Sequence, residues 1–529
     1  MAFANLWEQT RQVAPSTWLF LSIIGLITYL VSVRSLTPLR TVPGPFLASI
    51  TRLWIFMHQT RRKRQDLDRS LHVRYGPIVR ISPREVIVSS PDSFKIIYAA
   101  SSKFVKAEWY QATGEGGWTG KDGLDFLNEM DMDKYRIQRR LIGPAYTADA
   151  MKDLEGNLNA ILERNIAIMR EREGMEVDVD EFFNLFTVDC LSQATFSKSK
   201  GLVDANKDDG TIGLIKGAWN FMHLIGFYPG IFQAILWVTH RIINPVGSLL
   251  AYVKPRLRAT IITADMPLVE DTTQNSFAWC VTEFQKRKDS PKPIPEHAPD
   301  IASKLFQIQA SKPALKDHWL RDTLLTNFGA GGETTAIVIS TLLIALMSDP
   351  KSMERVHEEI DLARREGKLG NLPSLRDLRE HLPFLEACLN ESMRLHPIVG
   401  MSLMRVVPEG GYTLEGHFLP AGTIVGINPW VISRDKSLYG QDADEWRPER
   451  WLEYGAEKLK ALETYNVSFG MGARSCPGKH LSQAIYYKMI PMLFMNFDWS
   501  FAEPGAKRVI ESTFSTRYIN MKVRWKNRV

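Results

Sequence analysis

The apolar and polar positions divide the chain into stretches of different character. From Thr17 to Val33 the residues carry no charge and are rich in Leu and Ile. As a helix this run spans about 26 Å, close to the hydrocarbon thickness of a bilayer. Pro38, Pro43, Gly44 and Pro45 follow and stop any helix, because proline fixes φ and donates no backbone hydrogen bond. Beyond them, residues 72 to 90 and 403 to 427 show short β-like runs punctuated by Pro and Gly, whereas most of 130 to 400 repeats its apolar positions at helical spacing. The pattern predicts an α+β body, mainly α with small β-sheets, preceded by one N-terminal transmembrane helix.

No Gly/Ser-rich tract, repeat or low-complexity run divides the sequence after residue 60. The expected organisation is a lumenal N-terminus at 1–16, a transmembrane signal anchor at 17–33, a Pro/Gly hinge at 34–45 and one catalytic domain at 46–529. Arg34, Arg40, Arg52 and the run Arg61, Arg62, Lys63, Arg64 follow the apolar segment, and only Arg11 precedes it. The positive-inside rule therefore puts the body in the cytosol. A cleaved signal peptide is the alternative, but no small-residue cleavage site follows the apolar run.

Composition narrows the function classes. With 45% hydrophobic and 23% charged residues among 529, the chain can bury a large core. The net charge of +6 is dispersed among acidic residues, without an aromatic-interleaved basic stripe, which argues against nucleic acid as a partner. Cys190, Cys280, Cys388 and Cys476 lie too far apart for a close-spaced zinc site or a disulfide scaffold and suggest a reducing compartment.

The strongest chemistry lies at Phe469, Gly470, Met471, Gly472, Ala473, Arg474, Ser475, Cys476, Pro477, Gly478, a glycine-punctuated loop that leads into an apolar helical pattern at Leu481 to Phe494. A lone cysteine is most often a small buried hydrophobe. Here each neighbour has a task if haem iron is bound. The glycines let the backbone approach a flat macrocycle, Phe469 covers the sulfur, backbone N–H groups near the helix start stabilise a thiolate, and Arg474 pairs with a propionate.

The whole ten-residue pattern resembles the haem-binding loop of the cytochrome P450 family. That resemblance implies a triangular, mainly helical prism fold, haem b as cofactor and Cys476 as the axial ligand to iron. Ala330, Gly331, Gly332, Glu333, Thr334, Thr335 looks like the family's oxygen-activation segment on its long central helix. Thr334 is then expected beside O2 and Glu333 as a proton relay, with the two glycines distorting the helix so that oxygen fits by the backbone. A glycine-tolerant packing site between helices is the bland alternative. Glu391, Arg394 and Arg450, the last within Pro448, Glu449, Arg450, Trp451, resemble the family's Glu-Arg-Arg scaffold behind the haem. Arg139 and Arg405 stand where relatives contact propionates. Tyr135 replaces a common tryptophan, with a solvated basic helix as the alternative for both Tyr135 and Arg139.

No flavin or nicotinamide fingerprint is visible, so the resemblance implies NADPH-derived electrons from an NADPH-cytochrome reductase on the same endoplasmic reticulum membrane, with cytochrome b5 as a helper. Arg136, Arg140 and Lys479 would present a positive face to that acidic partner. A lipophilic small-molecule substrate is expected to meet Trp109 to Trp118, Trp219 to Trp237, the helix before Gly331, Val399 to Leu403, and Phe514 to Thr516. The apolar stretch Trp219 to Val246 is an entrance lid dipping into the bilayer or a plain buried helix pair. The motif texture around Ser482 and Arg405 is similar to filamentous-fungal microsomal members of the pisatin-demethylase type, which points to oxidation of a secondary metabolite. Two other classes share a Cys476-ligated haem: a reductase-independent isomerase or dehydratase, and a non-enzymatic haem sensor.

Overall fold

The computed structural model describes residues 15–113, 122–228, 275–290 and 300–528, together with 230, 231 and 234. Helix α1 (Pro15–Ser35) turns Trp18, Phe20, Leu26 and Tyr29 outward, away from any protein core. Its apolar part, Ser16–Ser32, is short for a membrane span.

The segment after α1 departs from a free hinge. Pro38–Thr41 forms a 3-10 turn, Leu39 and Val42 are buried, and the Arg80 N–H donates to the Pro43 carbonyl at 2.7 Å. A Cβ at Gly44 would lie 2.3 Å from the Arg80 carbonyl oxygen, so only glycine lets the chain approach so closely. Burial of Leu39 and Val42 docks this stretch onto the body.

Six further helices place the site: α2 (Met132–Ile142), α3 (Val179–Phe196), α4 (Thr211–Ile225), α5 (Asp317–Ser348), α6 (Pro383–Leu395) and α7 (Lys479–Asn496). Local chemistry sets their starts. The Asp131 carboxylate accepts from the N–H groups of Asp133 and Lys134 ahead of α2, and Asp178 caps α3 in the same way. Helix α3 is buried along nearly its whole length, with only Glu181 exposed, and its polar residues Asp180, Asn184, Thr187 and Asp189 are buried and hydrogen-bonded.

It crosses α5, the 32-residue central helix. At the crossing a Cβ on Gly331 would come 3.2 Å from Leu191, and one on Gly332 3.2 Å from Val188. Thr187 Oγ1 donates to the Gly332 carbonyl at 2.8 Å. Both glycines thus serve close packing of two helices, and α5 runs unbroken through them. The distortion expected at Gly331 is absent, and on its Cβ side the glycine packs against Leu191, while its backbone stays partly exposed beside exposed Ala330.

The main sheet has five strands in the order β1 (Ile78–Ser82), β2 (Glu85–Val88), β5 (Ile424–Gly426), β4 (Arg405–Val406), β3 (Val105–Lys106), with only the β2–β5 pair parallel. Residues 72–75, within the expected β-like run, instead close helix Arg64–Tyr75. The carboxyl-terminal hairpin of β6 (Val509–Ser512) and β7 (Thr516–Ile519) was not foreseen. Its turn is tied to residues 398–400, with the Gly400 N–H donating to the Phe514 carbonyl and the Thr516 N–H to the Ile398 carbonyl, at 2.9 and 2.8 Å.

Candidate active site

The loop before α7 is built from two 3-10 turns, Val467–Phe469 and Gly472–Arg474. The Cys476 N–H closes it by donating to the Phe469 carbonyl at 2.7 Å. Gly472 has φ +65°, and a Cβ there would strike the Tyr98 carbonyl oxygen at 2.3 Å, so this glycine is required by both conformation and space. Gly470 also adopts positive φ, and a Cβ on Gly478 would reach within 3.9 Å of the Cys476 sulfur. Phe469 packs at the edge of the large core, with the Lys479 ammonium 5.8 Å from its ring centroid.

Cys476 is an exposed cysteine, unlike the buried Cys190, Cys280 and Cys388. Its exposure is to a cavity of about 290 Å³ that is also lined by Arg139, Tyr146, Pro477, Lys479 and His480. Close protein atoms push the thiol pKa up by desolvation. The Gly478 N–H, the Arg139 charge, and the N–H and ammonium of Lys479 pull the other way. Two backbone donors and two cations aimed at one sulfur are what a thiolate ligand needs.

Beside the loop lies a cluster of cations. Arg139 and Arg474 each keep a buried Nη1 without a hydrogen-bond partner among the described residues. Arg405, 8% exposed, reaches among the described residues its neighbour's carbonyl at Met404 and the Tyr110 hydroxyl, and lies over the rings of Tyr98 and Tyr110. Lys106 on β3 donates to the carbonyls of Phe126 and Leu127 at 2.8 and 2.6 Å, and burial, then Arg474 and Arg405, hold its pKa well below the ordinary lysine value. Buried guanidinium nitrogens without partners are costly, so this arrangement fits a group carrying carboxylates, such as the two propionates of haem. Lys106 escaped the sequence reading; its one signal was that it shares a strand face with buried Phe104. Tyr135 sits at the cluster, but its hydroxyl donates to the Ala473 carbonyl at 2.9 Å and its ring carries the Arg474 guanidinium at 3.9 Å. Its hydroxyl hydrogen therefore supports the loop.

On α5, the Thr334 hydroxyl donates to the Ala330 carbonyl at 2.7 Å, which leaves its lone pairs as acceptors. Thr335 meets Ser482 of α7 at 3.0 Å. Glu333 is not open to solvent; it is 1% exposed and bonded to Ser515 and Arg517 on the β6–β7 hairpin. Burial raises its pKa, Arg517 opposes that, and Asp180 of α3 adds to it.

Behind the loop, Glu391 on α6 accepts from Arg394 through both oxygens at 2.8 Å, from Arg450 Nε at 3.0 Å and from the Trp451 indole at 2.9 Å. The remaining guanidinium nitrogens find carbonyls at Ser433, Ala443, Tyr439 and Asp442. The network is closed, as a buried one must be.

Three segments expected to meet substrate converge. Phe514 stacks on Trp219 at 4.7 Å and on Trp109 at 5.7 Å between centroids, with interplanar angles of 13° and 17°. Trp118, Trp237 and most of Trp219 to Val246 lie outside the described residues.

A cysteine loop with thiolate-stabilising donors, leading into a helix that packs on the long central helix and flanked by buried guanidinium nitrogens without partners among the described residues, fits the haem-thiolate class of protein. The comparisons with known proteins agree. The cytochrome P450 family model matches residues 43–524. A cytochrome P450 monooxygenase of Sordaria araneosa, sdnT, is 30% identical over 88% of this chain and 86% of its own length. The Fusarium vanettenii pisatin demethylase is 28% identical over 96% and 94%. The crystal structure of a cytochrome P450, CYP102L1, superposes with a TM-score of 0.66 over 88% of this chain and 94% of that one, at 17% identity. The chain belongs to the cytochrome P450 family and is a monooxygenase.

Proposed function

We propose that this monooxygenase hydroxylates or otherwise oxidises a lipophilic small molecule, a terpenoid, polyketide, alkaloid or aromatic intermediate of fungal secondary metabolism. The observation that carries the chemistry is Cys476, its sulfur on an open cavity and supported by the Gly478 and Lys479 amides. Bound there, haem b supplies the redox chemistry that places one atom of O2 into substrate while the other leaves as water. The electrons come from NADPH through an NADPH-cytochrome reductase, with cytochrome b5 as a second donor.

The chain's own residues divide the remaining work. Arg139, Arg405, Arg474 and Lys106 would hold the propionates, and Glu333 with Thr334 would deliver protons to the bound oxygen. The Trp109, Trp219 and Phe514 rings offer flat apolar surface on which a planar or polycyclic skeleton stacks. Helix α1 anchors the enzyme in the endoplasmic reticulum membrane with the body in the cytosol; its outward apolar side chains support this.

The carbon-monoxide difference spectrum of the reduced protein tests the central claim. Wild type is expected to show the red-shifted Soret band of a thiolate-ligated haem and Cys476→Ala to lack it; a wild type without that band overturns the reading. Comparison of metabolites with and without the gene then identifies the substrate.

A further inference from the structure

Glu333 is held asymmetrically. Its Oε1 accepts from Ser515 Oγ at 2.9 Å and from Arg517 Nη1 at 3.0 Å, whereas Oε2, equally buried, has no partner among the described residues. A protonated carboxyl has one O–H, and an oxygen already accepting from a cation and a hydroxyl is a poor place for it. The proton of this group therefore belongs on Oε2.

Both donors sit on one hairpin. Arg517 on β7 is held from its other side by Glu511 of β6 at 2.7 Å, and Glu511 in turn is paired with Arg62. Ser515 lies in the turn next to Phe514, the residue that stacks on Trp109 and Trp219. The aromatic wall and the clamp on Glu333 are thus adjacent residues of one short turn, itself fixed to residues 398–400.

We propose that Arg517 and Ser515 are positioning residues for the reaction, fixing Oε1 of Glu333 so that Oε2 alone gives and takes the proton, and that Phe514 ties this hold to the aromatic wall. The proposal rests on Glu333 being the proton-transferring group. In the step it describes, the Oε2–H bond breaks as its proton passes to a water molecule, which hands one of its own protons on to the reacting group, and the carboxylate left behind is reprotonated by a hydronium ion relayed from bulk solvent.

The charged groups facing Glu333 are Arg517 and Glu511 on the hairpin and Asp180 on α3, the last bonded to Lys216 of α4 at 2.6 Å. Among them Arg517 is the one cation in direct contact. Its loss should make Glu333 hold its proton more tightly by about tenfold or more, the usual effect of removing an adjacent opposite charge.

The test is an infrared titration of the resting, haem-loaded full-length enzyme, following the protonated carboxylic-acid band that disappears in Glu333→Gln. Arg517→Gln should move that titration at least about one pH unit upward, and Arg517→Lys should restore it. Ser515→Ala, which removes one neutral donor, should move it in the same direction by less. Phe514→Ala changes no charge, so a shift there reports the mechanical link. An unmoved titration in both Arg517→Gln and Ser515→Ala overturns the positioning role while leaving Glu333 itself intact. Absence of any band lost in Glu333→Gln overturns the underlying reading and the proposal with it.

Discussion

The Arg474 guanidinium lies 3.9 Å from the centre of the Tyr135 ring, while the Tyr135 hydroxyl donates to the carbonyl of Ala473, the residue before Arg474. One side chain of α2 therefore grips the cysteine loop twice, through a cation–π contact and a hydrogen bond. Tyr135→Phe keeps the first and loses the second, a net cost of about 1 kcal/mol. Tyr135→Ala loses both and opens a cavity, costing roughly 3 to 5 kcal/mol. Thermal unfolding followed at the haem absorbance should rank the three proteins in that order, and equal midpoints for Tyr135→Ala and wild type would refute the grip.

Glu391 is the shared acceptor of Arg394, Arg450 and Trp451, all of them at least half buried. Glu391→Ala strands two buried guanidinium groups, and breaking a buried pair in this way costs about 3 to 5 kcal/mol. The expected outcome is a protein that expresses poorly and carries little haem. Glu391→Gln, which retains an acceptor oxygen, should lose less. Full haem content per mole of purified Glu391→Ala would show that the network is not a scaffold.

The sequence revealed the parts of this molecule whose chemistry is local. The ten residues ending at Gly478 form one loop in which Gly470 and Gly472 hold positive φ and Gly472 leaves no room for a Cβ, and Glu391 and Arg394 share one helix face, so local spacing, read with the family resemblance, exposed them. The clamp on Glu333 was hidden because Ser515 and Arg517 lie 182 and 184 residues away and sit in a hairpin without a motif. Gly331 stayed open to two readings for a related reason. A glycine pair in a helix looks the same whether the space beside it takes a ligand or, as here, Leu191 of another helix. The docking of Leu39 and Val42 was equally invisible, since Pro-rich punctuation marks the end of a helix and says nothing about what the following chain packs on.

Glu85 on β2 gives a pH dependence with a definite sign. It is 1% exposed, and neither carboxyl oxygen has a partner among the described residues. Burial raises its pKa, opposed by Arg64 and Arg52 and reinforced by Asp68. A carboxyl whose folded pKa lies above its unfolded value takes up a proton on folding. Its contribution is fully present below the ordinary glutamate range and is lost as pH rises through the folded value. Glu85→Gln mimics the neutral form, so it should be more stable than wild type at neutral pH by roughly 1 to 3 kcal/mol, the cost of ionising a buried carboxyl or keeping it protonated at about 1.4 kcal/mol for each pH unit by which its pKa is raised. The difference should vanish near pH 4. Unfolding midpoints of the two proteins across this range check it; a constant difference at every pH would mean that folding leaves the Glu85 pKa unchanged.

The face around the cysteine loop carries Arg136, Arg140 and Lys479, all exposed. They are not equivalent, because Arg136 is paired with Asp133 at 3.0 Å on the same helix and part of its field is cancelled there. If this face receives an acidic reductase, the rate of electron delivery should fall by about tenfold as salt rises from low to half-molar, since steering between exposed charges is screened. Lys479→Glu and Arg140→Glu should reproduce that loss at low salt, and Arg136→Glu should do so less strongly. Stopped-flow reduction by the reductase at several ionic strengths measures all four proteins, and a wild-type rate indifferent to salt would place the electron donor elsewhere on the surface.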